Sequence, residues 1–169
     1  MISESLQQQT LQLCRELIAA ESLSGAEQNA VACMKAAFAQ LGYDRVQIDR
    51  YGSIIGTITG NRPGPHILLD AHIDTVPVDA SPAWVHPPFA GEVADGKLFG
   101  RGTSDMKGAL AAMSVACSAF AVGNNRDFAG TISVSTVVCE ELFEGLGARS
   151  VCELVNPDYV IIGEASEMN

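Results

Sequence analysis

The 169-residue sequence has little positive charge. Ten lysines and arginines stand against twenty aspartates and glutamates, which gives a formal net charge of −10. A field of this sign repels phosphate backbones and anionic membrane surfaces, so we expect neither nucleic acid nor a membrane as a partner. No uninterrupted apolar run approaches about 18 residues, and the opening MISESLQQQT lacks the basic start and apolar stretch of a signal peptide.

Cysteine pairs and prolines are also scarce. The five cysteines are an odd number without a Cys-x-x-Cys pair, and the chain has only 7 prolines. We therefore expect reduced cysteines in the core and a cytoplasmic protein. Apolar residues make up 47% and charged residues 18%, a composition typical of a globular chain. The length favours one domain, spanning residues 1–169.

The spacing of apolar residues predicts the elements of an α/β fold. Helical spacing covers residues 5–20, 26–41 (with Ser24 as a possible cap), 107–122 and 145–154. Strand patterns cover residues 46–48, 51–60, 66–71, 130–139 and 159–163, and NRPGP is predicted to be a turn. Strands that alternate with helices predict a three-layer sandwich with a mostly parallel mixed sheet.

Candidate functional residues follow the buried strands. His72 and Asp74 stand two residues apart after HILLDA, and strand periodicity predicts that both side chains share one face, so that the carboxylate orients the imidazole. His-x-Asp alone is a weak signal, but four more carboxylates, Asp105, Glu140, Glu141 and Glu164, follow other strands or their loops.

The desolvation of ionised side chains at such positions favours a bound divalent cation. Carboxylates alone would suit Mg²⁺ or Ca²⁺, whereas a histidine with carboxylates suits Zn²⁺, Co²⁺ or Mn²⁺ in hydrolysis.

An ordered set of motifs carries a family resemblance. The strings DAHIDTVPV, Trp84 followed by PPF, DGKLFGRGTSDMKGALAAM, the Glu140–Glu141 pair and PDYVIIGEAS occur in that order over nearly the whole chain. The sequence thereby resembles the zinc-dependent family of aminoacylases, acetylornithine deacetylases, succinyl-diaminopimelate desuccinylases and carboxypeptidases.

The resemblance implies a role for each candidate residue. His72 and Glu164 would bind one zinc, Asp105 would bridge two zincs, and Glu141 would bind the second. Asp74 would orient His72, and Glu140 would be the general base in the hydrolysis of an amide by water. A further expectation from the family is a cis peptide bond between Asp105 and Met106.

The sequence also departs from the family pattern. Complete members have another zinc-binding histidine near the C-terminus and an inserted lid domain, whereas this sequence has only His66, His72 and His86. We therefore expect an incomplete catalytic domain that lacks the lid and the C-terminal portion. We also expect weak or single-metal occupancy, and little hydrolysis by this chain alone.

Three functions are compatible with these residues. The first is an N-acyl amino acid amidohydrolase or dipeptidase, the second is a zinc aminopeptidase of related fold, and the third is a non-catalytic fragment that pairs with another polypeptide. A second copy in a homodimer or a complementary C-terminal fragment would be the protein partner.

Other residues of the motifs are predicted to have structural roles. Arg101 anchors loop carbonyls, Lys107 begins a solvated helix, and Trp84 and Phe89 pack the loop of residues 75–89.

Overall fold

The computed structural model describes residues 2–79 and 84–166. Its centre is a five-stranded mixed sheet with the strand order β1-β2-β6-β3-β7, accompanied by the two-stranded hairpin β4-β5. The strands in chain order are β1 Arg45–Ile48, β2 Ile54–Thr59, β3 Arg62–His72, β4 Glu92–Ala94, β5 Lys97–Phe99, β6 Ala129–Val137 and β7 Tyr159–Ile162.

Four helices cover the sheet: α1 Glu4–Ala19, α2 Gln28–Gln40, α3 Gly108–Gly123 and α4 Leu146–Val155. The hydroxyl of Ser3 accepts a hydrogen bond from the backbone N–H of Leu6 and so caps α1. At the other end of the chain, α4 stops at Asn156, which adopts the left-handed conformation typical of helix C-termini.

Two apolar clusters define the layers. The larger one joins α1, α2 and α3 to one face of the sheet, with Leu17, Phe38, Ile58 and Leu110 fully buried. The smaller one packs α4 against the opposite face through Val151. The predicted three-layer α/β sandwich is therefore confirmed.

The sheet is mixed and mostly parallel, as predicted, because β2 runs opposite to the other four described strands of this sheet. β6, β3 and β7 run parallel to one another, while β1-β2 and β2-β6 are antiparallel. Since β6 lies between β2 and β3, two strands that are consecutive in sequence are not neighbours in the sheet.

The prediction of a turn at NRPGP was wrong. Asn61 precedes β3, and Arg62 to Pro65 form its beginning, which pairs with β6 through a register irregularity between Arg62 and His66. Prolines are tolerated in strands at such irregularities. Gly64 is also needed there, because a Cβ atom on it would lie 2.7 Å from the backbone nitrogen of Gly130.

One helical stretch, Thr103–Gly123, is long and apolar enough to span a membrane by length and composition alone. Half of its apolar window is buried inside the molecule, as it is in the core helix of a globular fold. The stretch packs mainly against α1, so its hydropathy is weak evidence for a membrane span.

The edge strand β7 is unusually apolar and exposed. Tyr159 and Ile162 are 63% and 66% exposed, and the two residues between them are exposed as well. Among the described residues, β7 pairs only with β3. An apolar sheet edge of this kind favours association with another strand.

All five cysteines are free, and two of them, Cys14 and Cys117, are buried. We expect these two thiols to make the protein less stable at alkaline pH. Burial raises the pKa of Cys14 and of Cys117 from 9.0 to about 11. A raised pKa stabilises the folded state fully below pH 9, and this contribution is lost as the pH rises through about 11. We expect the melting temperature to fall between pH 8.5 and pH 10.5, and to fall less in Cys117→Ala.

Circular dichroism melts at both pH values measure this difference. Burial lowers the pKa of Lys107 to about 8, so this residue makes the folded state more stable as the pH rises. The test therefore compares the pH dependence of the melting temperature between the variants and the wild type, and does not rely on the wild-type pH dependence alone. Cys152→Ala removes a half-buried thiol whose pKa burial also raises, but less than that of Cys117, so it should reduce the pH dependence less than Cys117→Ala does. An equal pH dependence in wild type and Cys117→Ala would contradict the prediction.

Candidate metal centre

The candidate residues meet at one edge of the sheet. His72 ends β3, Glu141 lies in the turn after β6, and Glu164 follows β7. These three strands are parallel, so their carboxyl ends share an edge, which is where open α/β sheets place their ligands. Asp105 reaches the same place from the irregular helical turn Thr103–Lys107 that leads into α3.

The imidazole of His72 points one nitrogen into the acidic cluster. Its Nε2 lies 2.8 Å from Oδ1 of Asp105 and 3.8 Å from Oε2 of Glu164. Ligand atoms of His72, Asp105 and Glu141 all lie within 4.8 Å of one another. The structure thus brings together all four residues predicted as metal ligands.

The other imidazole nitrogen faces Asp74. Nδ1 of His72 lies 3.0 Å from the backbone oxygen of Asp74 and 3.5 Å from its Oδ1. Both side chains are buried. This arrangement fixes the ring and leaves Nε2 for the cluster.

Asp74 also holds the turn that follows β6. Its Oδ1 accepts a hydrogen bond from the backbone N–H of Glu140 at 3.0 Å, and its Oδ2 accepts one from that of Glu141 at 3.1 Å. The hydroxyl of Ser24 donates to Oδ2 at 2.6 Å. Ser24 was predicted to cap α2, which was wrong, since α2 begins at Gln28 and the Ser24 side chain turns to Asp74.

Glu140 and Glu141 lie beyond the end of their strand. β6 ends at Val137 rather than at Cys139, so strand alternation does not apply to the two glutamates. Their placement comes from hydrogen bonds between their backbone amides and Asp74, and from Cys139, which has a φ of 57°. Likewise β3 ends at His72, and Asp74 lies in the loop beyond it.

Burial and charge shift the pKa values of these groups. Burial lowers the pKa of His72, but hydrogen bonds and charge interactions with Asp74 and Asp105 outweigh it and raise the pKa to about 9. Burial raises the pKa of Glu141 and of Glu164, and the neighbouring Asp105 raises both further. Burial also opposes ionisation of Asp74, but hydrogen bonds from His72, Ser24 and two backbone amides lower its pKa.

The donor set fits a divalent cation. Burial and the nearby charge of Asp105 raise the pKa values of Glu141 and Glu164, and a positive ion among the three carboxylates would favour their ionised forms. The imidazole supplies a nitrogen ligand whose second nitrogen is already held by Asp74. Asp105, Glu164 and Glu141 are accessible from solvent, which leaves room for a substrate.

Lys107 does not begin a solvated helix as predicted. It is fully buried, and its Nζ donates to the backbone oxygens of Leu17 at 2.7 Å and Ala20 at 3.1 Å.

The expected cis peptide bond between Asp105 and Met106 is confirmed.

The remaining predictions concern the loop of residues 75–89. Arg101 anchors it as predicted, with its guanidinium 3.3 Å from the backbone oxygen of Pro77 and 5.3 Å from the centre of the Trp84 ring. His66 and His86 lie away from the cluster, against Ser133 and Glu92 respectively. Residues 80–83 of this loop lie outside the described residues.

Comparisons with known proteins agree with this geometry. A profile of the peptidase family M20/M25/M40 matches residues 68–169. A succinyl-diaminopimelate desuccinylase from Marinobacter nauticus is 34% identical over 164 residues, which cover 93% of this chain and 43% of that protein. Another from Orientia tsutsugamushi is 31% identical over 175 residues, covering 97% and 43%. The chain thus spans about 43% of the length of these curated relatives.

Solved structures share the fold. A family M20 metallo-carboxypeptidase from Sulfolobus solfataricus superposes with a TM-score of 0.78 at 20% identity, covering 98% of this chain and 38% of that one. YXEP of Bacillus subtilis, a dinuclear metal-binding peptidase, gives a TM-score of 0.70 at 19% identity, covering 95% and 43%.

The fold is one that metallopeptidases share. The chain belongs to the peptidase family M20/M25/M40.

Proposed function

We propose that this chain supplies the metal centre of a hydrolase that cleaves the amide bond of an N-acyl amino acid or a small peptide. The observation that carries the proposal is the orientation of His72, with Nε2 directed at carboxylates and Nδ1 held by Asp74. The relatives with 31% to 34% identity are desuccinylases, which favours an N-acyl substrate with an acidic acyl group.

The metal ligands in this proposal are His72, Asp105, Glu141 and Glu164. Zn²⁺ is the preferred ion, two per complete site, with Co²⁺ and Mn²⁺ as alternatives, because one imidazole with carboxylates suits these ions. A divalent cation held there would act as a Lewis acid for the scissile carbonyl and make water more acidic. Asp105, at the centre of the cluster, is the candidate for bridging two ions.

A side chain of this protein would carry out the proton transfer. Glu140, next to the ligand Glu141, would accept the proton of the attacking water and pass it to the leaving amine. Asp74 would keep the His72 ring oriented while charge develops in the site. No side chain has to form a covalent bond with the substrate.

Location and partners stay predictions from the sequence. The reduced cysteines and acidic composition favour the cytoplasm. The exposed apolar edge at β7 supports association with another polypeptide. That polypeptide would be either a second copy of this chain or a complementary C-terminal fragment.

The proposed function is tested with a substrate panel. The chain, loaded in turn with Zn²⁺, Co²⁺ and Mn²⁺, is incubated with N-succinyl and N-acetyl amino acids and with peptides that have free N-termini. Because little hydrolysis is expected from this chain alone, we expect at most slow release of the amino acid, confined to N-acyl substrates, abolished by a chelator and restored by metal. Preference for free N-termini would favour the aminopeptidase alternative, and bound metal without turnover of either class would favour the non-catalytic fragment.

A further inference from the structure

The segment of residues 17–27 contacts three of the four chain segments that carry the cluster, although it precedes the region matched by the family profile. The buried Lys107, two residues after Asp105, donates to backbone oxygens at the end of α1. Ser22 is fully buried, its hydroxyl donates to the backbone oxygen of Ile73 at 2.7 Å, and its own backbone oxygen accepts from Thr75. The loop between α1 and α2 is thereby tied to two of the ligand-bearing loops.

Glu27 ties the same segment to the third loop. Its side chain is buried, with 5% of the residue exposed. Its Oε1 accepts hydrogen bonds from the backbone N–H of Gly25 at 2.8 Å and of Cys139 at 3.0 Å, and the Cys139 thiol lies 3.4 Å away. Glu27 is the residue preceding α2, yet its side chain makes no hydrogen bond that caps the helix. Its carboxylate is directed at the turn after β6 instead.

The turn of residues 139–141 contains an unfavourable backbone conformation. Cys139 adopts a positive φ of 57°, which residues other than glycine rarely do. The next two residues are Glu140 and Glu141, whose backbone amides bond to Asp74. Three consecutive amides of the turn therefore end on two buried carboxylates, Glu27 and Asp74. A turn fixed in this way presents both glutamate side chains in one arrangement.

We propose that Glu27 is a positioning residue, which sets the turn of residues 139–141 and through it the placement of Glu140 and Glu141 at the metal centre. Its effect on metal binding rests on the proposed function, whereas its effect on the turn does not. Glu27 makes no hydrogen bond to the four candidate metal ligands, and it acts through the backbone amide and the thiol of Cys139.

The first test needs no metal. Amide hydrogen exchange, read by mass spectrometry on a peptide covering residues 139–141, compares the full chain with Glu27→Ala and Glu27→Gln. We expect exchange in that peptide to speed up at least about tenfold in Glu27→Ala, with exchange in β2 unchanged. Glu27→Gln keeps an oxygen acceptor at the same reach and should stay near the wild type. Unchanged exchange in Glu27→Ala, or a uniform increase across the chain, would overturn the proposal.

The second test measures the affinity for Zn²⁺ by chelator competition in the same variants. Loss of an outer partner of a metal ligand typically weakens binding about 10- to 100-fold, and we expect a loss in this range for Glu27→Ala and near wild-type affinity for Glu27→Gln. The Co²⁺ absorption spectrum, which reports ligand geometry, should change only in Glu27→Ala. The matched control is Glu21→Ala, an exposed glutamate of the same segment.

The two tests separate the two proposals. A wild-type chain that binds no metal would count against the proposed metal centre, while the exchange data would still decide the role of Glu27. Wild-type zinc affinity and an unchanged Co²⁺ spectrum in Glu27→Ala, together with a lower melting temperature, would show a merely structural role and overturn the inference.

Discussion

Replacing His72 with alanine is expected to weaken zinc binding by more than about 100-fold, the upper end of the effect of losing an outer-shell partner. His72 contributes the one nitrogen ligand in the cluster that the structure brings together, and its Nε2 lies within 2.8 Å of Asp105. Without the imidazole, the metal site loses its nitrogen ligand. The carboxylates also lose the ring around which they are arranged. Isothermal titration with Zn²⁺ in the presence of a competing chelator measures the change.

His86→Ala is the matched control for this experiment. His86 is half-buried and its Nδ1 lies 3.0 Å from Glu92, away from the cluster. Its removal should leave the zinc affinity at the wild-type value. If His72→Ala bound zinc as tightly as wild type, the metal centre would have to lie elsewhere.

Replacing Asp74 with alanine is expected to damage both stability and metal binding. The fully buried carboxylate accepts hydrogen bonds from Ser24 and from the amides of Glu140 and Glu141, and it holds His72. Hydrogen bonds to a charged group are worth about 1.5 to 3 kcal/mol each, and they are not additive. We expect the free energy of unfolding to fall by about 3 kcal/mol, with a loss of zinc affinity of about 10- to 100-fold.

Chemical denaturation at several pH values tests the charge of this residue. Because the pKa of Asp74 is lowered from 3.8 in the folded state, its ionised form adds stability that is fully present above pH 3.8 and is lost as the pH falls through the folded-state value. The difference between wild type and Asp74→Asn should therefore shrink below about pH 4, and it should also shrink as the pH rises from 6.5 through about 9, because Asp74 helps to raise the pKa of His72.

The exposed Asp79 provides a control, and Asp79→Ala should match wild type at every pH. A stability difference between wild type and Asp74→Asn that did not change with pH would mean that the carboxylate is not ionised in the folded protein.

The strands and the ligand cluster could be predicted because their signals are local. HILLDA and YVIIG are short apolar runs, and each is followed at once by a polar side chain that such a strand could not bury alone. Parallel strands bring their carboxyl ends together, so His72 and Glu164 were expected to meet, as they do. The resemblance then added the pairing with Asp105.

The supporting residues could not be predicted because their partners are distant in sequence. Lys107 follows a turn and precedes an Ala-rich helix, a pattern that usually indicates solvent. Its burial depends on free carbonyls at the end of α1, about ninety residues earlier. Glu27 resembles an ordinary charged residue at a helix start, and its partner Cys139 is 112 residues away. Local spacing carries no information about such pairs.

The position of β6 has a consequence for the order of events during synthesis. β2 and β3 leave the ribosome one after the other, but in the sheet they are separated by β6, which starts only at Ala129. Until that strand is made, the facing edges of β2 and β3 have no native partner and are open to incorrect pairing. The insertion of β6 joins β2 to β3 and brings the turn with Glu140 and Glu141 beside His72. The join between the two parts of the sheet and the approach of these glutamates to His72 therefore depend on the same strand.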